Sequence, residues 1–217
     1  MMQRWPLGEE IRYDGTAHPL VKALPHYHMV PKDQVGHLKW RLELRRKCQT
    51  SATWRSKVRE MCENDPLWFI NSWCWLVEPR GTGRIPFNTW PHQDVWLAAT
   101  AHYSGWAEKE LQRDQILRKS RAQGATWGIA AEYVRAFLFR RACIQGFVSK
   151  DEDTADNPSN PNSFGWKIDF ILRNLPPWMV GDFERKSSDH TWRLVARENY
   201  LMGATSRHVW SELLRSK

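Results

Sequence analysis

The chain has 217 residues, of which 41% are hydrophobic and 26% charged, with 14 tryptophans; this composition builds apolar seams and excludes disorder throughout. Its formal charge of +8 points to phosphate-rich partners, with a solvated face carrying surplus lysine and arginine as the plain alternative. Cys48, Cys62, Cys74 and Cys143 form no CxxC pair and have no histidine at ligand spacing, which argues against a structural zinc site and for buried thiols in a reducing compartment.

The opening MMQRWPLGEE has no basic-then-apolar leader pattern, and the longest apolar run, LWFINSWCWLV, is too short for a bilayer, so a cytosolic protein without a membrane partner is expected. Residues 1–34, with Pro6, Pro19, Pro25 and Pro31, read as an irregular arm in which His26 and His28 are incidental, as is His37 just beyond it. From Val35 to Asn64 apolar residues recur at helical spacing, which predicts two amphipathic helices split near Gln49-Thr50-Ser51. Asp65 caps the next helix and Pro66 takes its first position; Trp68, Phe69, Trp73 and Trp75 are expected in the core.

Residues 78–83 break the pattern, and a helix is predicted from about His92 to a stop before Gly105. The short apolar pair in DQILRK is read as a strand feeding a loop, Trp127–Phe139 as a helix and ACIQGFVSK as a strand, together a βαβ unit. Residues 151–163 are a polar loop. A helix over Phe164–Leu175 buries Ile168, Ile171, Leu172 and Leu175 and ends at Pro176-Pro177. A second charged loop covers 181–190, WRLVA and NYLMGA form a hairpin around Arg197-Glu198-Asn199, and the last residues make one or two exposed helical turns. The expected organisation is an arm over 1–34, a helical subdomain over 35–83 and an α/β core over 84–217.

The stretch LRKSRAQGATWGI, residues 117–129, carries the chemistry. A phosphate-binding loop reads G-x-x-x-x-G-K-[ST]; aligning Gly124-Ala125-Thr126 with its end puts Ala125 at the lysine position and Lys119 at the first glycine. Gly124 admits close backbone approach, a helix starting near Thr126 aims its free amides at an anion, the Thr126 hydroxyl stands where magnesium is normally met, and Lys119 and Arg121 are the cations in reach. A basic turn ahead of a helix has the same residues and stays open as the alternative.

KSRAQGATW resembles the displaced-lysine phosphate loop of bacteriophage large terminases, the ATPases that pump double-stranded DNA into a procapsid. DPLWFINSWCWLVEP is similar to that family's helix ahead of the core, IPFNTWPHQ to its proline-rich stretch with an adenine-contacting glutamine, GFVSKDEDTA to the strand and loop after the phosphate-loop helix, and WKIDFILRNLPPWM to its helix ending in a Leu-Pro turn. The resemblance covers about residues 65–205. It implies a P-loop NTPase fold with a parallel sheet, ATP and Mg2+ as ligands, and Lys119, Ser120, Arg121, Ala122, Gln123, Gly124, Ala125 and Thr126 at the triphosphate. By the same resemblance Thr126 meets the magnesium, Gln93 the adenine, and Ser149 and Lys150 lie near the DNA or nucleotide face. The implied partners are double-stranded DNA held without sequence preference, a small terminase subunit, the portal of the procapsid and further copies of the chain, in the host cytoplasm. Arg140 and Arg141 are candidates for a finger acting on a neighbouring subunit.

The chemistry also needs a carboxylate on an apolar strand for magnesium and a glutamate to orient water. Neither GFVSKDED nor WMVGDFE meets that pattern, and the expectation is therefore an N-terminal ATPase piece, catalytically incomplete alone, inside a sheet that lacks members. The rivals are a basic DNA-binding or assembly module with a degenerate loop, and another P-loop motor such as a helicase.

Overall fold

The computed structural model describes residues 18–77, 83–104, 112, 114–119 and 123–206. A single-turn helix α1 (Pro19–Lys22) and a 3-10 turn over Tyr27–Met29 lead into two longer helices, α2 (Gln34–Thr50) and α3 (Ala52–Asn64). The split falls at Ser51, whose hydroxyl accepts from Trp54 N at 3.3 Å and so ends one helix and starts the next. The expected arm thus holds two short turns over its described part, and its first 17 residues lie outside the described ones.

Asp65 opens α4 (Pro66–Trp73). One carboxylate oxygen accepts from Trp68 N at 2.8 Å, while the other takes Tyr27 N at 2.7 Å and His26 N at 2.9 Å, so one cap also fastens the N-terminal turn to the core. Every residue of α4 is buried, including Trp68, Phe69 and Trp73. A two-stranded antiparallel ribbon follows, β1 (Trp75–Val77) with β2 (Arg84–Pro86), then α5 (Pro91–Tyr103).

Helix α6 (Ala125–Phe139) runs into strand β3 (Ile144–Ser149). A short turn α7 (Glu152–Ala155), helix α8 (Phe164–Asn174) and a turn α9 (Pro177–Val180) lead to β4 (Glu184–Lys186), β5 (Thr191–Leu194) and β6 (Asn199–Thr205). These strands form one sheet in the order β3-β6-β5-β4: β3 and β6 run parallel and the others antiparallel. The architecture is α/β with a mixed sheet, which corrects the expectation of a parallel one.

On one sheet face Phe147, Trp192, Leu194 and Leu201 are buried. Phe147 meets Tyr133 of α6 and Phe164 of α8 there, which fixes the helical layer over the sheet. Asn199 pins the connection between α6 and β3: its side chain donates to the carbonyls of Phe137 and Arg140 at 2.7 and 2.8 Å and accepts from Cys143 N at 2.8 Å.

Two further expectations are corrected. Residues 114–119 form no strand and are exposed, Ile116 at 97%; between Asp114-Gln115 and Arg118-Lys119 a lone apolar pair has no face to bury, so the strand expected to feed the loop ahead of α6 is not formed there. The charged stretch 181–190 contains a strand, β4, which β5 recruits as its antiparallel edge partner despite the sequence Glu-Arg-Lys. The expected final turns at 207–217 lie outside the described residues, as does the break at 78–82.

Candidate functional site

The loop expected to hold phosphate sits where α5 and α6 begin. The two helices pack closely because Gly128 has no side chain; a Cβ there would overlap the Trp96 ring and stand 3.1 Å from Leu97. That approach brings Gln93, in the first turn of α5, against the residues ahead of α6. The Gln93 side chain accepts from Trp90 N at 2.9 Å and donates to the Gln123 carbonyl at 2.9 Å. Gly124 stands beside it in the left-handed region, φ 70°, and a Cβ on Gly124 would lie 2.7 Å from Gln93 Nε2. Both the turn and the glutamine therefore require glycine here.

The individual residues take different places. Gly124 is the N-cap of α6 and, having no side chain, leaves the first-turn amides without the oxygen that Asp33, Ser51, Asp65 and Ser163 supply to α2, α3, α4 and α8. Thr126 is exposed in that turn and Gln123 half-buried, whereas Ala125 is buried. Lys119 is exposed; Ser120, Arg121 and Ala122 lie outside the described residues. Amides at a 15-residue helix terminus, a permissive glycine and a hydroxyl in the first turn suit an anionic oxygen cluster. The Thr126 hydroxyl is one oxygen in that turn, and no group of three or more histidine, cysteine or acidic side chains is placed to hold a metal among the described residues. A complete metal site is not formed by the described residues.

Behind Gln93 a buried polar network holds the start of α5. Asp94 accepts from the Tyr27 hydroxyl and from Thr89 Oγ1, both at 2.5 Å, and lies 3.7 Å from Lys32 Nζ. Lys32 donates to Asn71 Oδ1 at 3.1 Å and to the Thr89 carbonyl and hydroxyl at 2.9 Å each. Burial pushes the Asp94 carboxyl up against the opposing pull of the Lys32 charge, and burial brings the Lys32 ammonium down to about 8. These residues position Gln93; sequence reading missed them because 67 residues separate Tyr27 from Asp94.

The other candidates lie elsewhere. Arg140 and Arg141 line an open cleft of about 750 Å3 beside the start of β3, at the opposite end of α6 from Gly124. Ser149 Oγ is 2.8 Å from Thr154 Oγ1, and Lys150 is exposed. Asp151 caps α7, accepting from Thr154 N at 2.9 Å, and Glu152 is 3.6 Å from His190 Nε2. The two loops read as merely polar also meet: Arg185 binds both oxygens of the buried Asp156 at 2.7 Å and reaches Asp169 at 3.3 Å, with its guanidinium 3.9 Å from the centre of the Trp192 ring. Charge gave no prior signal, since 181–190 holds Asp182, Glu184 and Asp189 beside Arg185 and Lys186 and is net negative like 151–163.

No protein-family model matches the sequence, and no curated protein is significantly similar to it. Among the described residues no helix is long and apolar enough to cross a membrane.

Proposed function

We propose that the chain is the N-terminal ATPase part of a terminase-like motor that couples ATP binding and hydrolysis to movement of double-stranded viral DNA into a procapsid. The observation that carries this reading is the Gln93–Gln123 hydrogen bond at 2.9 Å. It joins two stretches that the sequence resemblance treats separately, the proline-led glutamine and the displaced-lysine loop, at a left-handed Gly124.

In this reading the amides at the start of α6 and the ammonium of Lys119 neutralise the terminal phosphates, with Arg121 as a second cation and Thr126 toward the magnesium. Gln93 serves the base side while its backbone contact holds the loop in register. Bound ATP supplies the energy of the conformational step; the chain's own residues bind and orient it. The sequence shows no convincing strand carboxylate to anchor magnesium or glutamate to orient water, so hydrolysis by this chain alone is expected to be very weak. DNA is held through its phosphates by lysines and arginines, and the small subunit, the portal and further copies of the chain are the partners of the intact motor.

Titration of a fluorescent ATP analogue with magnesium into the chain and into Lys119→Ala tests the reading. Weaker binding by the variant, about tenfold or more, is expected from loss of a charge-assisted contact. Equal binding by the two proteins sinks the displaced-lysine assignment. Saturable binding to duplex DNA with no nucleotide binding at all would leave only a basic DNA-binding module.

A further inference from the structure

Between Gln34 and Asn64 the chain carries eight lysines and arginines against three glutamates, so α2 and α3 form its most basic helical pair. Between them and the turn over Tyr27–Met29 lies a groove of about 400 Å3. Its floor is Leu44 and Met61, its walls the half-buried rings of Trp40 and Trp54, and its lip Met29, 39% exposed. The Trp40 ring is fixed by its Nε1 donating to Ser72 Oγ at 3.0 Å. Two ammonium groups stand over the Trp54 ring at the mouth, Lys47 at 4.9 Å and Lys57 at 5.3 Å from its centre. Glu43, paired with Lys47 at 2.8 Å, is the acidic residue lining the groove.

We infer that this groove docks a segment of a partner polypeptide that inserts one bulky apolar side chain between Trp40 and Trp54 and sets carboxylates against Lys47 and Lys57. The volume and apolar floor fit an anchor side chain, since docked segments gain most of their affinity from an aromatic or aliphatic group filling such a pocket. The charge of the rim selects its flanks: Lys47 and Lys57 attract an acidic segment and disfavour a basic one. A duplex would set its phosphates on the same lysines but leave the apolar floor unfilled. The inference does not rest on the nucleotide reading.

Fluorescence anisotropy with the full chain tests it, using a labelled decapeptide with one tryptophan flanked by four glutamates. Replacing that tryptophan by alanine, or the glutamates by lysine, is expected to weaken binding about tenfold or more. A similar loss is expected for Lys47→Glu with Lys57→Glu, and a smaller one for Lys57→Ala, an exposed position where folding is not at issue, with the circular dichroism spectrum unchanged. Equal binding of the peptide without tryptophan would reduce the site to a generic basic surface and overturn the inference. So would displacement of the peptide by a short duplex at equal concentration, or no binding in the millimolar range. Tighter peptide binding to Trp5→Ala would assign the groove to the chain's own leading residues, Trp5-Pro6-Leu7-Gly8-Glu9-Glu10, and overturn the partner reading.

Discussion

Gly124 carries two demands at one position: a φ of 70° and room for Gln93 Nε2, which a Cβ would meet at 2.7 Å. Gly124→Ala is therefore expected to cost ~1–3 kcal/mol, the usual range for a non-glycine residue held left-handed, and to lower the melting temperature by ~2–4 °C per kcal/mol. Calorimetry checks the stability. Adding Gln93→Ala removes the overlap but not the backbone cost, so the double variant should recover part of the loss; a full recovery would show that crowding alone requires the glycine. His37 makes a different demand. It is buried in α2 with Nε2 donating to the Asn71 carbonyl at 2.8 Å, and burial lowers its pKa from 6.5 to about 4, with the charges of Arg41 and Lys32 acting in the same direction. Between those values the unfolded chain binds the extra proton, so stability contributed by neutral His37 is complete above pH 6.5 and is lost as pH falls toward 4. Urea midpoints measured across that window should fall with pH in the native chain and fall less in His37→Gln; parallel slopes would remove His37 as the cause.

Among the elements, α6 is tied to α3 by a buried ion pair. Arg135 and Glu132, each 1% exposed, meet at 2.7 Å, and Arg135 also donates to the Glu63 carbonyl at 2.5 Å at the end of α3. Arg135→Met leaves the Glu132 carboxylate buried without its partner and is expected to destabilise the fold by ~3–5 kcal/mol; Glu132→Leu added to it should restore much of that, because a well-packed apolar pair removes the stranded charge. Chemical denaturation of the two variants separates these outcomes. The elements that sequence made legible are those with local punctuation: Ser51, Asp65-Pro66, Pro91 and Pro176-Pro177 set helix limits by capping and by fixed φ, so their boundaries needed no tertiary knowledge. What was not legible depends on distant partners. β4 is a strand because Arg185 faces Trp192 across the ribbon, and nothing in Glu-Arg-Lys announces that. DQILRK, by contrast, was read as a strand on one apolar pair, and residues 114–119 form none. The site was half legible: the glycine, the hydroxyl and the glutamine stood out, while the network of Tyr27, Lys32, Thr89 and Asp94 that holds the glutamine was invisible until folding joined it.

At the level of the whole molecule, the helices before residue 83 and the sheet after it share one apolar cluster. Val21, Val58, Trp68 and Leu97 belong to the same buried set as Phe137, Ile168, Trp192 and Leu201, and Phe69 of α4 meets Phe139 of α6 at 5.6 Å between ring centres. Trp178 of α9 likewise meets Trp73 of α4, and Arg59 of α3 donates to the Trp178 carbonyl at 2.5 Å. Removing the helical half would therefore expose the apolar face of α6, and removing the residues after 83 would uncover α4, which packs on α5, α6 and α9. Neither half closes its own core. Equilibrium unfolding in urea is accordingly expected to show one transition, with tryptophan fluorescence and far-ultraviolet circular dichroism coincident, since probes that share one cooperative core lose their signals together. Two separated transitions would mean that residues 35–83 fold as a unit of their own and that the contacts from α4 to α6 and α9 contribute little. The same titration repeated with a saturating ATP analogue moves the single midpoint upward if the start of α6 binds it, because a ligand held only by the folded state stabilises the entire cooperative unit, about 2.7 kcal/mol at a hundredfold excess over its dissociation constant.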